Sequence, residues 1–142
     1  MARVLVIDDE LSVGTVVSKV LEVAAHRVRV VLTGAEATAA LQSGPWDVVL
    51  IDKHLPDMPG PQLISLVRSS QPEAAVVMMT GNPDRAATRT LDLDGYLPKP
   101  FRSLDSIRAV VAEAVDRRKR TREREAMAAT LKAAVATSHR ND

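Results

Sequence analysis

Val4-Leu5-Val6-Ile7-Asp8-Asp9-Glu10 decides how the rest of the chain is read. Four apolar residues end abruptly in carboxylates, and a helical pattern follows. The same form recurs three times: Val48-Val49-Leu50-Ile51 ends in Asp52, Val76-Val77-Met78-Met79 in Thr80, and Tyr96-Leu97-Pro98 in Lys99. Short apolar runs that alternate with helical patterns mark parallel strands buried on both faces. In open parallel sheets the working site lies just beyond the carboxyl ends of the strands. The chain is therefore expected to bring three carboxylates, a hydroxyl and an ammonium to one sheet edge, as a hard cation and a phosphoryl group would require.

The intervening segments complete the alternation. Val13, Val16, Val17, Val20, Leu21 and Ala24 recur at helical spacing, with Ser12 available as a cap. Arg27–Val31 alternates as an edge strand does, and a helix is expected from about Ala35 to Leu41. A third helix carrying Leu63, Leu66 and Val67 begins after Gly60-Pro61, and Asn82-Pro83 reads as the cap and first-turn proline of a fourth that ends near Leu91. Ser103 caps a last helix with Leu104, Ile107, Val110, Val111, Ala114 and Val115 on its inner face. Strict βα alternation implies right-handed crossovers and helices on both faces of a five-stranded parallel sheet, a doubly wound, flavodoxin-like α/β domain.

The chemistry follows from the edge residues. Asp8, Asp9 and Asp52 converging within a few ångströms repel one another, so one is protonated or a cation is recruited. Mg2+ suits such a site, because it takes few carboxylates and keeps waters and phosphate oxygens. Asp52 could then serve as a nucleophile, with Lys99 neutralising charge on the transferring group and Thr80 donating a hydrogen bond to it.

These residues resemble the receiver domain of two-component response regulators over about residues 3–115. The matching pieces are the acidic pair in Val-Ile-Asp8-Asp9-Glu10, the segment Asp52-Lys-His-Leu-Pro56-Asp57-Met-Pro-Gly60, Met79-Thr80-Gly81, and Tyr96-Leu-Pro-Lys99-Pro100-Phe101. The resemblance implies the strand order 2-1-3-4-5 known for the family's chemotaxis member. It implies that Asp52 is the phosphoacceptor, taking a phosphoryl group from a sensor histidine kinase or a phosphotransfer protein. Asp9 would bind the metal directly, Asp8 mostly through water, and His54 through its backbone carbonyl. Thr80 and Tyr96 would form the switch, and the Lys99–Pro100 bond would be cis. Asp57 reads as shaping its turn, and the His54 side chain as facing solvent.

Composition sets bounds on the rest. The chain has 142 residues, 46% hydrophobic and 26% charged, and no cysteine, which excludes disulfides, thiolate metal sites and cysteine nucleophiles. No apolar run approaches the ~20 residues of a membrane span, so a cytoplasmic location without membrane contact is expected. Through Val115 there are 11 Lys/Arg against 14 Asp/Glu, and from Asp116 onward 8 against 4. Residues 1–115 thus read as the receiver, and 116–142 as a basic, helical extension with a frayed end, either a linker or an interaction helix. Its short stripe of Met127, Leu131, Ala134 and Val135 leaves a homodimer open, while nothing in it forms a DNA-binding domain, so nucleic acid is not an expected partner.

Two features depart from the family: the extension itself, and only 19 steps between Thr80 and Lys99, about one turn short. The functional expectation is a phosphorylation-controlled switch that signals by protein contact and has no enzymatic role beyond its own phosphoryl transfer and autodephosphorylation. Alternatives are a receiver piece of a longer regulator or hybrid kinase, or an interaction module that no longer uses phosphate. A flavin site is disfavoured because Asp8-Asp9-Glu10 stands where a phosphate-wrapping loop would be.

Overall fold

The computed structural model describes residues 1–81 and 91–140. Five strands, β1 (Arg3–Ile7), β2 (Arg27–Val31), β3 (Val48–Asp52), β4 (Ala75–Thr80) and β5 (Gly95–Pro98), form one parallel sheet in the order β2-β1-β3-β4-β5. Among the described residues three helices intervene, α1 (Leu11–Val23), α2 (Gly34–Gln42) and α3 (Gly60–Ser70), and a last helix covers Leu104–Arg140. The expected Asn82-Pro83 cap, the helix that follows it and residues 82–90 of the short span between Thr80 and Lys99 lie outside the described residues.

The pleat explains why the central strands are apolar without alternation. Successive side chains point to opposite faces, and here both faces are covered. Leu5, Ile7, Val49, Ile51, Val76 and Met78 pack with Ala37, Leu41, Leu63 and Val67 of α2 and α3. Val4, Val6, Val48, Leu50, Val77 and Met79 pack with Val17 and Leu21 of α1 and with Ile107, Val111 and Ala114 of the C-terminal helix. The edge strand β2 alternates instead, exposing Arg27 and Arg29. Charged edge residues discourage pairing with another strand.

Local details depart from the sequence reading in instructive ways. Helix α1 starts at Leu11 after Glu10 in extended backbone with no side-chain cap, so Ser12 lies inside the first turn and caps nothing. Val16 and Leu104, read as inward-facing, are 40% and 59% exposed. Leu104 is the first residue of its helix, and Val16 sits beside the buried Gly14, Val17 and Leu21 stripe of α1 and not on it. A Cβ on Gly14 would approach Val30 Cγ1 to 2.6 Å, which accounts for glycine where α1 crosses β2. Trp46 lies two residues before β3; it is buried, its indole N–H donates to the Ala40 carbonyl at 2.9 Å, and the Arg3 guanidinium stacks 4.9 Å from the centre of its ring.

The C-terminal helix opens as expected, with Ser103 Oγ accepting from the Ser106 N–H at 3.1 Å. Its 37 residues make a rod about 55 Å long at 1.5 Å per residue. The buried Arg118 donates from Nε and Nη2 to the Pro72 carbonyl at 2.9 and 2.6 Å, and Arg122 Nη2 pairs with Glu73 at 2.9 Å. Beyond Arg122 every side chain through Ser138 is exposed, Met127, Leu131 and Val135 included. No described helix is long and apolar enough to cross a membrane.

Candidate functional site

The sheet order puts the strand ends where the chemistry needs them. β1 lies between β2 and β3, so α1 and α2 leave toward opposite faces and a crevice opens beyond the ends of β1 and β3. Asp8, one residue past β1, is fully buried; Asp52, the last residue of β3, is 6% exposed; Asp9 is exposed at the mouth. Oxygens of these three carboxylates lie within 4.8 Å of one another. Backbone amides orient them: Glu10 N–H donates to Asp8 Oδ1 at 2.9 Å, and His54 N–H to Asp52 Oδ1 at 3.3 Å.

Lys99 reaches this cluster from the other end of the chain. Its Nζ lies 3.0 Å from Asp8 Oδ2 and 3.6 Å from Asp52 Oδ1, and its backbone N–H donates to the Thr80 carbonyl at 2.8 Å. The Lys99–Pro100 peptide bond is cis. Thr80 is buried at the end of β4, opposite Pro98.

One cation among three carboxylates leaves the cluster short of positive charge. Burial first, and the neighbouring Asp8 charge second, push Asp52 up to about 6, against the opposing pull of the His54 amide and Lys99. Burial acts on Lys99 to lower it, yet the Asp8 hydrogen bond and the Asp52 and Asp8 charges leave it above its ordinary value. An all-oxygen donor set under mutual repulsion is what a hard divalent cation relieves, so Asp8, Asp9 and Asp52 could hold one.

The carboxylates open into a cleft of about 670 Å³ lined by Asp9, Asp52, His54 and Lys99, with Val13, Val16, Pro100 and Phe101 as its apolar wall. The His54 side chain is exposed there. Tyr96 is not part of this cleft. It sits half-buried on β5 and lines a separate groove of about 420 Å³ with Val110, Glu113, Asp116, Arg117 and Arg120. The apolar wall was missed by sequence reasoning, which assigned Val13 and Val16 wholly to the core. The available signal was their place in the first turns of a helix that starts right after the acidic pair.

Comparison with known proteins agrees with this geometry. The profile of the response regulator receiver domain matches residues 4–112. Sensor kinase CckA of Brucella abortus is 31% identical over 121 residues, which are 82% of this chain and 13% of that protein. Transcriptional regulatory protein TcrA of Mycobacterium tuberculosis is 33% identical over 108 residues, 74% of this chain and 42% of that one. The chain thus spans less than half the length of either relative. Among solved structures, the chemotaxis response regulator CheY4 of Vibrio cholerae superposes with a TM-score of 0.75 at 28% identity, over 80% of this chain and 98% of that one. Sequence profile, relatives and fold coincide on one stretch, and the chain belongs to the response regulator receiver domain family, a family of two-component signalling modules.

Proposed function

We propose that this chain is a Mg2+-dependent phosphoacceptor that takes a phosphoryl group from a phosphohistidine onto Asp52 and signals by a change of conformation and protein contact. The observation that carries this reading is the meeting of Asp8, Asp9, Asp52 and Lys99 in one cleft. The donor would be a sensor histidine kinase or a phosphotransfer protein, and exposed Leu11, Val16 and Leu104 beside the cleft offer apolar contact for it. No membrane or nucleic-acid partner is proposed.

The ionised Asp52 carboxylate attacks phosphorus as the P–N bond to the donor imidazole breaks, leaving an acyl phosphate on Asp52 and returning the electron pair to the imidazole nitrogen. Mg2+, when bound, would neutralise charge on the transferring oxygens; Asp9 would hold it directly, Asp8 mostly through water, and Asp52 and the His54 carbonyl would complete the protein's share. Lys99 is placed to exchange its carboxylate partners for a phosphoryl oxygen, and the Thr80 hydroxyl donates to another. Such a new charge biases the switch formed by Thr80 and, on the far side of β5, Tyr96. Hydrolysis of the acyl phosphate by water resets it.

Residues 1–115 form the receiver under this proposal and 116–142 its extension, with output and any homodimer contact left to the extension and the β5 groove. Beryllofluoride, which mimics a phosphoryl group on a carboxylate, tests the switch. In the presence of Mg2+ it should shift the amide resonances of Thr80, Tyr96 and Lys99, and Asp52→Asn should abolish the shifts. Unchanged spectra in the unmodified chain would overturn the proposal.

A further inference from the structure

Metal sites depend on the groups that hold their ligands in place, and those partners are often outside the cluster. Here the ligand carrier is the loop Lys53–Pro59, which leaves β3 immediately after Asp52 and includes the backbone of His54. Several contacts fix its path. The Lys53 N–H donates to the Met79 carbonyl of β4 at 3.0 Å, Leu55 is buried in the core, and His54 and Pro59 form an antiparallel bridge that closes the loop on itself. A further contact, at the tip of the loop, is to α2. Asp57 Oδ1 accepts from the Gly34 N–H at 2.8 Å and Oδ2 from the Ala35 N–H at 3.0 Å.

That contact is specific on both sides. Helix α2 exposes its first N–H groups with no intrahelical partner. Thr33 Oγ1 takes the Glu36 N–H at 3.1 Å, and Asp57 takes the two before it. The carboxylate also meets the positive end of the helix dipole. Both bonds hold the Asp57 carboxyl below its ordinary value, the Gly34 amide most strongly. Position 34 has no room for a side chain: a Cβ there would come within 2.7 Å of Met58 Cβ and 3.2 Å of Asp57 Oδ1. The tip of the loop therefore lies flat on the start of α2.

We propose that Asp57 is a positioning residue of the cation site: by clamping the loop tip to the N-terminus of α2 it fixes the approach of the His54 backbone and the Asp52 carboxylate to the metal. The inference rests on the Mg2+ reading of the site. Coupling of this kind is reciprocal, so cation binding also tightens the hold of Asp57 on Gly34 and Ala35.

The test is titration of Mg2+ into the unmodified chain, Asp57→Ala, Asp57→Asn and Gly34→Ala by calorimetry, well below the melting temperature of each. Asp57 is exposed, so its substitution leaves the core untouched. Asp57→Ala should weaken Mg2+ binding by on the order of tenfold. Asp57→Asn, which keeps one accepting oxygen, should lose less, and Gly34→Ala, which leaves Asp57 in place but displaces the tip, should shift in the same direction. Hydrogen exchange at the Gly34 and Ala35 amides should slow when Mg2+ is added to the unmodified chain. A carboxylate that merely caps α2 would lower the melting temperature without moving Mg2+ affinity, and that result overturns the inference alone. Absence of Mg2+ binding by the unmodified chain overturns the site reading and the inference with it.

Discussion

Asp52 is asked for two opposed things. As the proposed nucleophile it must be ionised, yet its burial and the charge of Asp8 favour the proton and raise it from 3.8 to about 6. The consequence for stability has a definite sign. The fold binds this proton more tightly than the unfolded chain, so the contribution is fully present below pH 3.8 and is lost as pH rises through about 6. Metal-free protein should therefore gain melting temperature at pH 7 on Asp52→Asn and gain less at pH 4.5, where Asp52 carries a proton in the fold and is ionised only in the unfolded chain. An equal gain at both values, read by thermal denaturation in chelator, would show that repulsion at this carboxylate is not the cause. His26 contributes with the opposite slope: burial first, and the N-terminal charge second, lower it from 6.5, and its Nδ1 accepts from the Ala2 N–H at 3.0 Å. Its contribution is present above pH 6.5 and is lost as pH falls toward the lowered value.

At the scale of elements, stability is concentrated where helices end or leave the body. Helix α1 terminates through Ala25 at φ 68°, with the His26 N–H reaching the Leu21 carbonyl at 3.0 Å. A Cβ in the left-handed region costs ~1 kcal/mol, so Ala25→Gly should raise stability in urea by about that amount. The C-terminal helix is fastened at Arg118, whose loss leaves the Pro72 carbonyl without its two donors. Arg118→Ala should cost about 2 kcal/mol, whereas truncation after Glu125 should leave stability nearly unchanged. A truncation there that costs as much as Arg118→Ala would contradict this assignment.

These elements also show what a single sequence can and cannot say. Period-2 side-chain direction in β1, β3 and β4, read together with the helical spacing of α1, α3 and the last helix, makes both layers of the core legible without a contact map. Val16 was misassigned because it lies one position off the buried Gly14, Val17 and Leu21 stripe, and Leu104 because apolar spacing does not show where a helix begins. Ser12 looked like a cap by residue type, but the extended backbone at Glu10 set the true boundary. The partners of Asp57 and Arg118 lie 22 to 46 residues away in sequence, and nothing local announces them. The five edge residues were legible for the opposite reason: each ends a strand or lies within two residues past one, so the sheet alone gathers them.

Across the whole molecule, the pair between Lys99 and Asp8 spans 91 residues and ties the first strand to the segment after the last. The site is thus assembled only when the sheet is complete, and its occupancy is felt by β1, β3, β4 and β5 together. Trp46 stands outside that circuit, at the opposite end of β3 and roughly 20 Å from Asp52 at ~3.3 Å per residue. Its fluorescence should change little when the site is filled. Phosphorylation at the proposed acceptor Asp52 can be read from intact-protein and peptide mass after incubation with acetyl phosphate, with Mg2+ or with chelator. One phosphoryl adduct is expected, formed only with Mg2+, located on the peptide carrying Asp52, sensitive to hydroxylamine and absent from Asp52→Asn. An unmodified mass under these conditions, or an adduct that survives Asp52→Asn, would contradict that role for Asp52.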